Sequence, residues 1–486
     1  MGLKEKTFNG VFWTFSQQLG VQIINFGVQI ILARLLLPED FGLIAMIQIF
    51  ITIGQTLMDG GMTASLIRTK NVSQSDYSTV FLINVIVSLV IYIVIFCFAP
   101  LISYFFEQEK LELIIRVLTL SFVLQSFVGV QTTILTKNLK FKLLMLMQLP
   151  STIIGGVVGV ALAFLGFGVW SLVWLKLVTT FVFVLFHWVK TDWKPKLYLD
   201  KEKLKYHFNF GYKLTLSGLL TNLYINSYLL IIGKLFPPAQ LGFYSQADTL
   251  RMFPVRNITT ALQKVTFPIF STIQDDNERL KQVFKRITGS VLFVVVPVML
   301  LLILIAKPLF SIVLTDKWLP SVPIFQILCI SAIIFPLSIY NLNIILVKGR
   351  SGLHLKLEII KKLSSIVFLL LIIPFGFYGI VYAQAISMFI HAFVNIFYSG
   401  RIMEYSFRDQ MVDMAPVFSV GIISMVLSYY LKYMLFKEVF LTDWLNILLS
   451  ILFFASVYLL SSYVFKLNAL IDLKILIKDK LLRSGK

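Results

Sequence analysis

The residues of this chain best suited to chemistry are charges placed inside apolar runs. Arg251 and Arg256 share one such run, Lys176 lies in another, and Asp59 and Asp248 supply carboxylates. An ionised side chain near the centre of a bilayer costs about 2.5 to 3.5 kcal/mol even on lenient insertion scales, so each needs a partner or a task. At about 1.5 Å per residue from the outer ends of their runs, as oriented below, Arg251 is roughly 13 Å deep and Arg256 roughly 20 Å deep. Pro254 between them can kink the helix, and Lys176 lies level with Arg251. Arg116 and Lys264 sit nearer helix ends, where snorkelling or headgroup contact serves as well as a ligand role. Asp59, roughly 27 Å from the outer end, lies near the opposite mouth. It is either a helix-end contact or partner for Arg68, or a gating or cation-coupling group.

Amides accompany the charges. Thr14, Gln18, Gln22, Asn25 and Gln29 recur at steps of three and four, which puts them on one helix face. The next run repeats the pattern with Gln48, Thr52, Gln55, Asp59 and Thr63. Later runs carry Lys213, Ser217, Thr221, Asn222 and Asn226, then Asp248, Arg251, Arg256, Thr259, Thr260 and Gln263. Such stripes cannot face lipid, so they face protein or water. Interhelical hydrogen bonding explains two or three per helix; five in line favour a hydrated cavity. The surplus inside the runs is cationic. Guanidinium takes phosphate bidentately, while Gln, Asn and Thr bond sugar hydroxyls, so the cavity suits an anionic, many-hydroxylated ligand. A cationic drug would want the opposite sign.

Other chemistry finds less support. His391 reads as an interhelical contact more readily than as a titrating group. Cys97 and Cys329 lack metal or redox spacing, and no nucleotide-binding glycine loop, HExxH or GxSxG context occurs. Neither metal nor cofactor is expected.

The elements that position these residues follow from composition. With a mean hydropathy of +0.86 and only 14% charged residues, the chain is a multispanning membrane protein. The net charge of +19 is spread between apolar runs and not gathered in a basic domain, so it orients helices and implies no nucleic acid. Apolar segments at roughly 9–34, 41–67, 77–105, 112–136, 143–165 and 168–190 make six spans. Roughly 208–233, 242–270, 284–306, 322–347, 355–373 and 378–400 make six more, and roughly 414–436 and 444–465 add two. The first run, flanked by Lys4 and Lys6 and lacking a small-residue cleavage site, is expected to be retained as a helix.

The two sets of six are copies. Ala33, Arg34, Leu35, Pro38 and Gly42 match Gly233, Lys234, Leu235, Pro238 and Gly242; Pro100, Leu101 and Ser103 match Pro308, Leu309 and Ser311. Lys and Arg alternate between junctions, with about thirty on one side and about seven on the other, so both termini are expected in the cytoplasm. An even number of spans per copy makes the repeat parallel, with helices one, two, seven and eight facing across an axis along the membrane normal. The fold class is thus an all-α integral membrane protein of about 14 transmembrane helices: two parallel six-helix lobes plus two C-terminal helices. Residues 1–195 form the N-terminal lobe, 196–207 a cytoplasmic linker, 208–405 the C-terminal lobe, and 406–486 the extra helices and a basic cytoplasmic tail. Outer loops of roughly ten to fifteen residues at most leave no room for a folded outer domain, which disfavours a membrane glycan polymerase or ligase.

The architecture resembles the multidrug/oligosaccharidyl-lipid/polysaccharide (MOP) exporter superfamily. Specific residues resemble its polysaccharide branch, the WzxC-like flippases: Ala33 through Gly42, Asp59-Gly60-Gly61-Met62 with Ala64, and Phe267 through Asp276 leading into Arg279 and Leu280. Departures are mild. Met62 stands where Leu is usual, and Thr259 replaces the acid at the position of Asp59. The resemblance implies a V-shaped, two-lobed, non-enzymatic transporter working by alternating access in a bacterial cytoplasmic membrane. Its cargo would be an undecaprenyl-diphosphate-linked oligosaccharide, moved to the outer leaflet for capsule, exopolysaccharide, O-antigen or teichuronic-type polymer. A multidrug exporter of the same fold is the alternative. Arg251 and Arg256, with Lys176, are expected on the diphosphate. Gln18, Gln22, Asn25, Gln48, Gln55 and Asn222 are expected on sugars or water, and Asp59 and Asp248 are candidates for H+ or Na+ coupling or gating. The membrane potential is another energy source. Membrane lipids, a polysaccharide polymerase and export machinery are the other expected partners, and a bundle of this size can act as a monomer.

Overall fold

A computed structural model describes residues 3–436, 442–467 and 469–470. Side chains at 3–12, 15, 257, 260–265 and 436 are outside the description, so the expectations for Thr260, Gln263, Lys264 and the basic tail lie beyond it. Seventeen helices are described: α1 Leu3–Leu35, α2 Pro38–Asp59, α3 Met62–Arg68, α4 Gln74–Phe106, α5 Lys110–Leu118, α6 Leu120–Lys137, α7 Phe141–Phe164, α8 Trp170–Lys190 and α9 Lys201–Leu235. They continue with α10 Pro238–Thr272, α11 Asn277–Leu314, α12 Ser321–Ile333, α13 Phe335–Val347, α14 Ser351–Ile372, α15 Gly376–Met403, α16 Phe407–Phe436 and α17 Asp443–Val464.

Fourteen spans and seventeen helices agree, because three spans are each broken in two. Gly60 and Gly61, both left-handed at φ 54° and 66°, separate α2 from α3. Thr119, whose Oγ1 donates to Ile115 O at 2.7 Å, separates α5 from α6. Pro336 follows the break between α12 and α13, at the equivalent place in the second copy. Among the described residues, twelve stretches are long and apolar enough to cross a membrane. One of them, Ser351–Met403, contains both α14 and α15, and the charged α10 falls outside the set, which restores fourteen.

Local chemistry sets the helix starts. Pro38 occupies the first turn of α2, and Leu37 N donates to Asp40 Oδ2 at 3.0 Å. Ser73 and Asp76 cap α4 reciprocally. Asp200 accepts from the backbone N–H groups of Glu202 and Lys203, so α9 begins inside the segment expected to be a linker; residues 196–207 are helical from Lys201 on.

The chain divides into two compact units, Met1–Gly242 and Phe243–Lys486. In the first, α7 packs against α1 and α8, while α9 lies along α2, α3 and α4. The division falls after α9 and not at the polar linker, because α9 spends its apolar and small residues on α2. Gly211 meets the Gly60–Gly61 turn backbone to backbone, where a Cβ on Gly61 would stand 2.5 Å from Gly211 O. In the second unit α16 and α17 pack on α11. The two C-terminal helices therefore share that unit's core, and Tyr458 Oη donates to Phe293 O at 2.9 Å.

Candidate functional site

Two glycines on α7 bring α8 close beside a polar cavity in the first unit. Gly155 and Gly159 stand four residues apart against Thr179 and Leu175, with no room for a Cβ, so α8 approaches closely. That contact brings the inner face of α8 to a cavity of about 420 Å³. Lys176, Thr179 and Thr180 line it from α8, Gln55 and Asp59 from α2, Asn84 from α4, Gln125 from α6 and Gln148 from α7. Its volume is that of a small-molecule site, which typically measures about 300–1,000 Å³.

Its electrostatics centre on one cation. Lys176 is exposed to the cavity, and its Nζ has no hydrogen bond or ion pair among the described residues. Asp59, half-buried, accepts from Thr63 Oγ1 at 2.5 Å and makes no ion pair with Lys176. Nor does it pair with Arg68, whose guanidinium lies over the Phe210 ring at 4.7 Å; the Arg68 pairing is set aside, whereas the bond from Thr63 at the end of α2 is a helix-end contact of the kind expected. Asn84 is 1% exposed, and its Oδ1 has no partner. An unpaired ammonium and an unsatisfied amide oxygen facing polar space at membrane depth are provisions for a ligand or water.

The polar stripe of α2 is split between two environments. Gln55 and Asp59 face the cavity, whereas Thr52 and Thr56 face α9. Asn222 Nδ2 donates to Thr56 Oγ1 at 2.7 Å and Asn226 Nδ2 to Thr52 Oγ1 at 3.2 Å. Asn222, expected on sugar or water, is thus an interhelical clasp. Gln48, half-buried, does not line the cavity. On α1, Gln18 and Asn25 are exposed and Gln22 is half-buried, and none of the three lines it.

In the second unit Arg251 is buried and its fork is filled by protein. Nε and Nη2 donate to Asp248 Oδ1 at 2.9 and 2.6 Å, and Nη1 donates to Leu328 O at 3.3 Å and Ser331 Oγ at 3.2 Å. Gln384 Nε2 also donates to Asp248 Oδ1 at 3.5 Å, and Gln384 Oε1 accepts from Tyr244 Oη at 2.7 Å. Two residues given separate roles from the sequence are one ion pair. Arg256, one turn beyond, is exposed.

Sequence reasoning passed over Asn84, Gln125, Gln148, Thr179 and Thr180. A signal was available in the spacing: Thr179 and Thr180 fall three and four residues after Lys176, and Ser151 and Thr152 three and four after Gln148, within long apolar runs. It also missed two buried polar clusters. His207 joins Ser65 at 2.8 Å and Asp76 at 3.1 Å where α9 meets α3 and α4. Lys361 Nζ on α14 bonds Glu358 Oε1 at 2.5 Å and Asn395 Oδ1 at 2.8 Å, beside a His391–Ser365 contact of 2.7 Å. The interhelical reading of His391 agrees with that geometry.

The chain as a whole is similar to known proteins. The chain is 24% identical over 447 residues to the lipopolysaccharide biosynthesis protein WzxC of Escherichia coli K12, covering 88% of each. It is 25% identical over 354 residues to the teichuronic acid biosynthesis protein TuaB of Bacillus subtilis 168, covering 72% of this chain and 73% of that one. Among solved structures, the lipid II flippase MurJ in an inward closed conformation superposes with a TM-score of 0.76 at 15% identity, over 93% of this chain and 98% of that one. The all-helical, multispanning fold read from the sequence agrees with that likeness. Residues 31–323 match the model of a family described as polysaccharide biosynthesis protein, and the chain belongs to that family.

Proposed function

We propose that the chain is a flippase for lipid-linked oligosaccharide in surface polysaccharide biosynthesis, and that Lys176 is the cation that meets the anionic part of its cargo. The single observation carrying the site is the Lys176 ammonium, unpaired among the described residues in a cavity lined also by amides, hydroxyls and the Asp59 carboxylate, with Met58 and Phe183 as its apolar walls. That combination fits a phosphate flanked by sugar hydroxyls. The relatives named for lipopolysaccharide and teichuronic acid synthesis, and the likeness in fold to a lipid II flippase, support the same cargo class. An undecaprenyl-diphosphate-linked repeat unit is the reading that satisfies both.

Arg256, exposed on α10, is the second cation available to the cargo. Arg251 stays with Asp248 and holds α10 to α12, which leaves Asp59, bonded to Thr63 but in no ion pair among the described residues, as the carboxylate proposed to exchange a proton or Na+. The lysine-rich junctions support an orientation with both termini on the cytoplasmic side of a bacterial inner membrane. Outward movement of a diphosphate across an inside-negative potential then gains about 2.3 kcal/mol per charge per 100 mV, so the potential favours export.

The test is binding by the purified full-length protein of an undecaprenyl-diphosphate saccharide, read by native mass spectrometry. Lys176→Gln is expected to lower retention about tenfold, in line with one charge-assisted contact. Undiminished retention by a well-folded variant contradicts the assignment of Lys176.

A further inference from the structure

A second cavity lies at the lysine-rich end of the first unit, where α6 turns into α7 beside the end of α8. It measures about 220 Å³ and is lined by Gln131, Lys140, Leu143, Lys190, Asp192 and Trp193, among others. Gln131 is 1% exposed, yet neither its Nε2 nor its Oε1 meets a partner. A buried amide with both ends unsatisfied is uncommon unless a ligand or ordered water completes it. Lys140 and Lys190 are both exposed and form no ion pair among the described residues. Lys140 also stands at the start of α7, a 24-residue helix that opens without a side-chain cap and so presents its positive end here. Asp192 adds one carboxylate, which can accept from a hydroxyl on the same ligand. The neighbours of the two lysines, Leu139 and Val189, are 44% and 76% exposed and apolar, a boundary suited to acyl chains.

We propose that this cavity binds the hydroxyl-bearing phosphate headgroup of an anionic lipid, in the leaflet that the orientation above makes cytoplasmic. The lysines and the α7 terminus take the phosphate, while Gln131 and Asp192 take the hydroxyls. Basic pockets between transmembrane helices are a recurrent headgroup solution. The site is separate from the cavity around Lys176: the two share no lining residue.

The test uses the full-length protein, delipidated in mild detergent and titrated with phosphatidylglycerol, phosphatidylcholine or inorganic phosphate, with retention read by native mass spectrometry. Phosphatidylglycerol is expected to be retained in preference to phosphatidylcholine, and Lys140→Gln/Lys190→Gln to reduce its retention about thirtyfold, given two surface-proximal cations. Gln131→Leu is expected to weaken retention while its lipid-free melting temperature stays level or rises, because an unsatisfied amide is removed. Competition by millimolar phosphate would support the same phosphate site with a soluble occupant; absence of competition supports the lipid. Equal retention of the two lipids, or a lysine double variant that retains phosphatidylglycerol like the wild type, overturns the proposal.

Discussion

Separating Arg251 from Asp248 discriminates a structural ion pair from a cargo contact. Asp248→Asn removes the charge that two guanidinium nitrogens hold at 2.9 and 2.6 Å and leaves Arg251, its side chain 9% exposed, with neutral acceptors alone: Leu328 O, Ser331 Oγ and the amide oxygen of the new side chain. Breaking a buried pair costs about 3–5 kcal/mol; because the Asp248 side chain is 35% exposed, solvent screening brings the expectation to about 2–3 kcal/mol. Arg251→Met leaves the more exposed partner behind, where water can hydrate it, and should cost about 1–2 kcal/mol. The double variant should lose about 1–2 kcal/mol less than the sum of the singles. The assay is thermal melting of the purified protein in detergent, paired with surface glycan in complemented cells. Strict additivity would refute the pairing. If Arg251→Met abolished surface glycan without lowering the melting temperature, Arg251 would be acting on cargo and its placement as a helix tie would be wrong.

Other perturbations have outcomes fixed by the same geometry. Gly211→Ala should lower the melting temperature and surface glycan together, since its Cβ would run into the backbone of Gly60; Gly289→Ala, with nothing within 4 Å, should stabilise by about 0.5–1 kcal/mol through helix propensity in the same melting assay. His207→Ala leaves Asp76 and Ser65 short of a buried partner and should cost about 1–3 kcal/mol, seen as faster proteolysis at the α9 start. Lys234 holds the Glu107 carboxyl below its ordinary 4.5, so their ion pair is present above that pH and lost as pH falls through the lowered value. Both partners reach solvent, and Glu107→Gln is therefore expected to leave melting at pH 7 and moderate salt unchanged.

The fold was highly legible because span length and lysine alternation are strong signals, and the Pro38–Gly42 and Pro238–Gly242 repeat marks the duplication. The breaks at Gly60–Gly61, Thr119 and Ile334 were less so, since none interrupts the hydropathy of its run. Of the site, Lys176, Gln55 and Asp59 were named as candidates and do share one cavity. Asn222 was not placed correctly, because periodicity reports a polar face and not whether its neighbour is water or Thr56. Arg251 shows the same limit: three residues from Asp248, it had an (i, i+3) partner in reach, and spacing alone could not say whether the pair or a cargo phosphate fills the fork. Gln125 and Gln148 lay unremarked because amides on separate runs show no shared site until the packing of α2, α4, α6, α7 and α8 gathers them.

The most direct measurement of the central claim is the sidedness of lipid-linked oligosaccharide when the protein is depleted, read with an impermeant glycan label on intact cells and on inside-out vesicles. The account predicts that the lipid-linked saccharide accumulates on the cytoplasmic leaflet and the surface polymer is lost, with rescue by the wild type and not by Lys176→Gln at equal abundance. Unchanged sidedness on depletion would contradict a flippase.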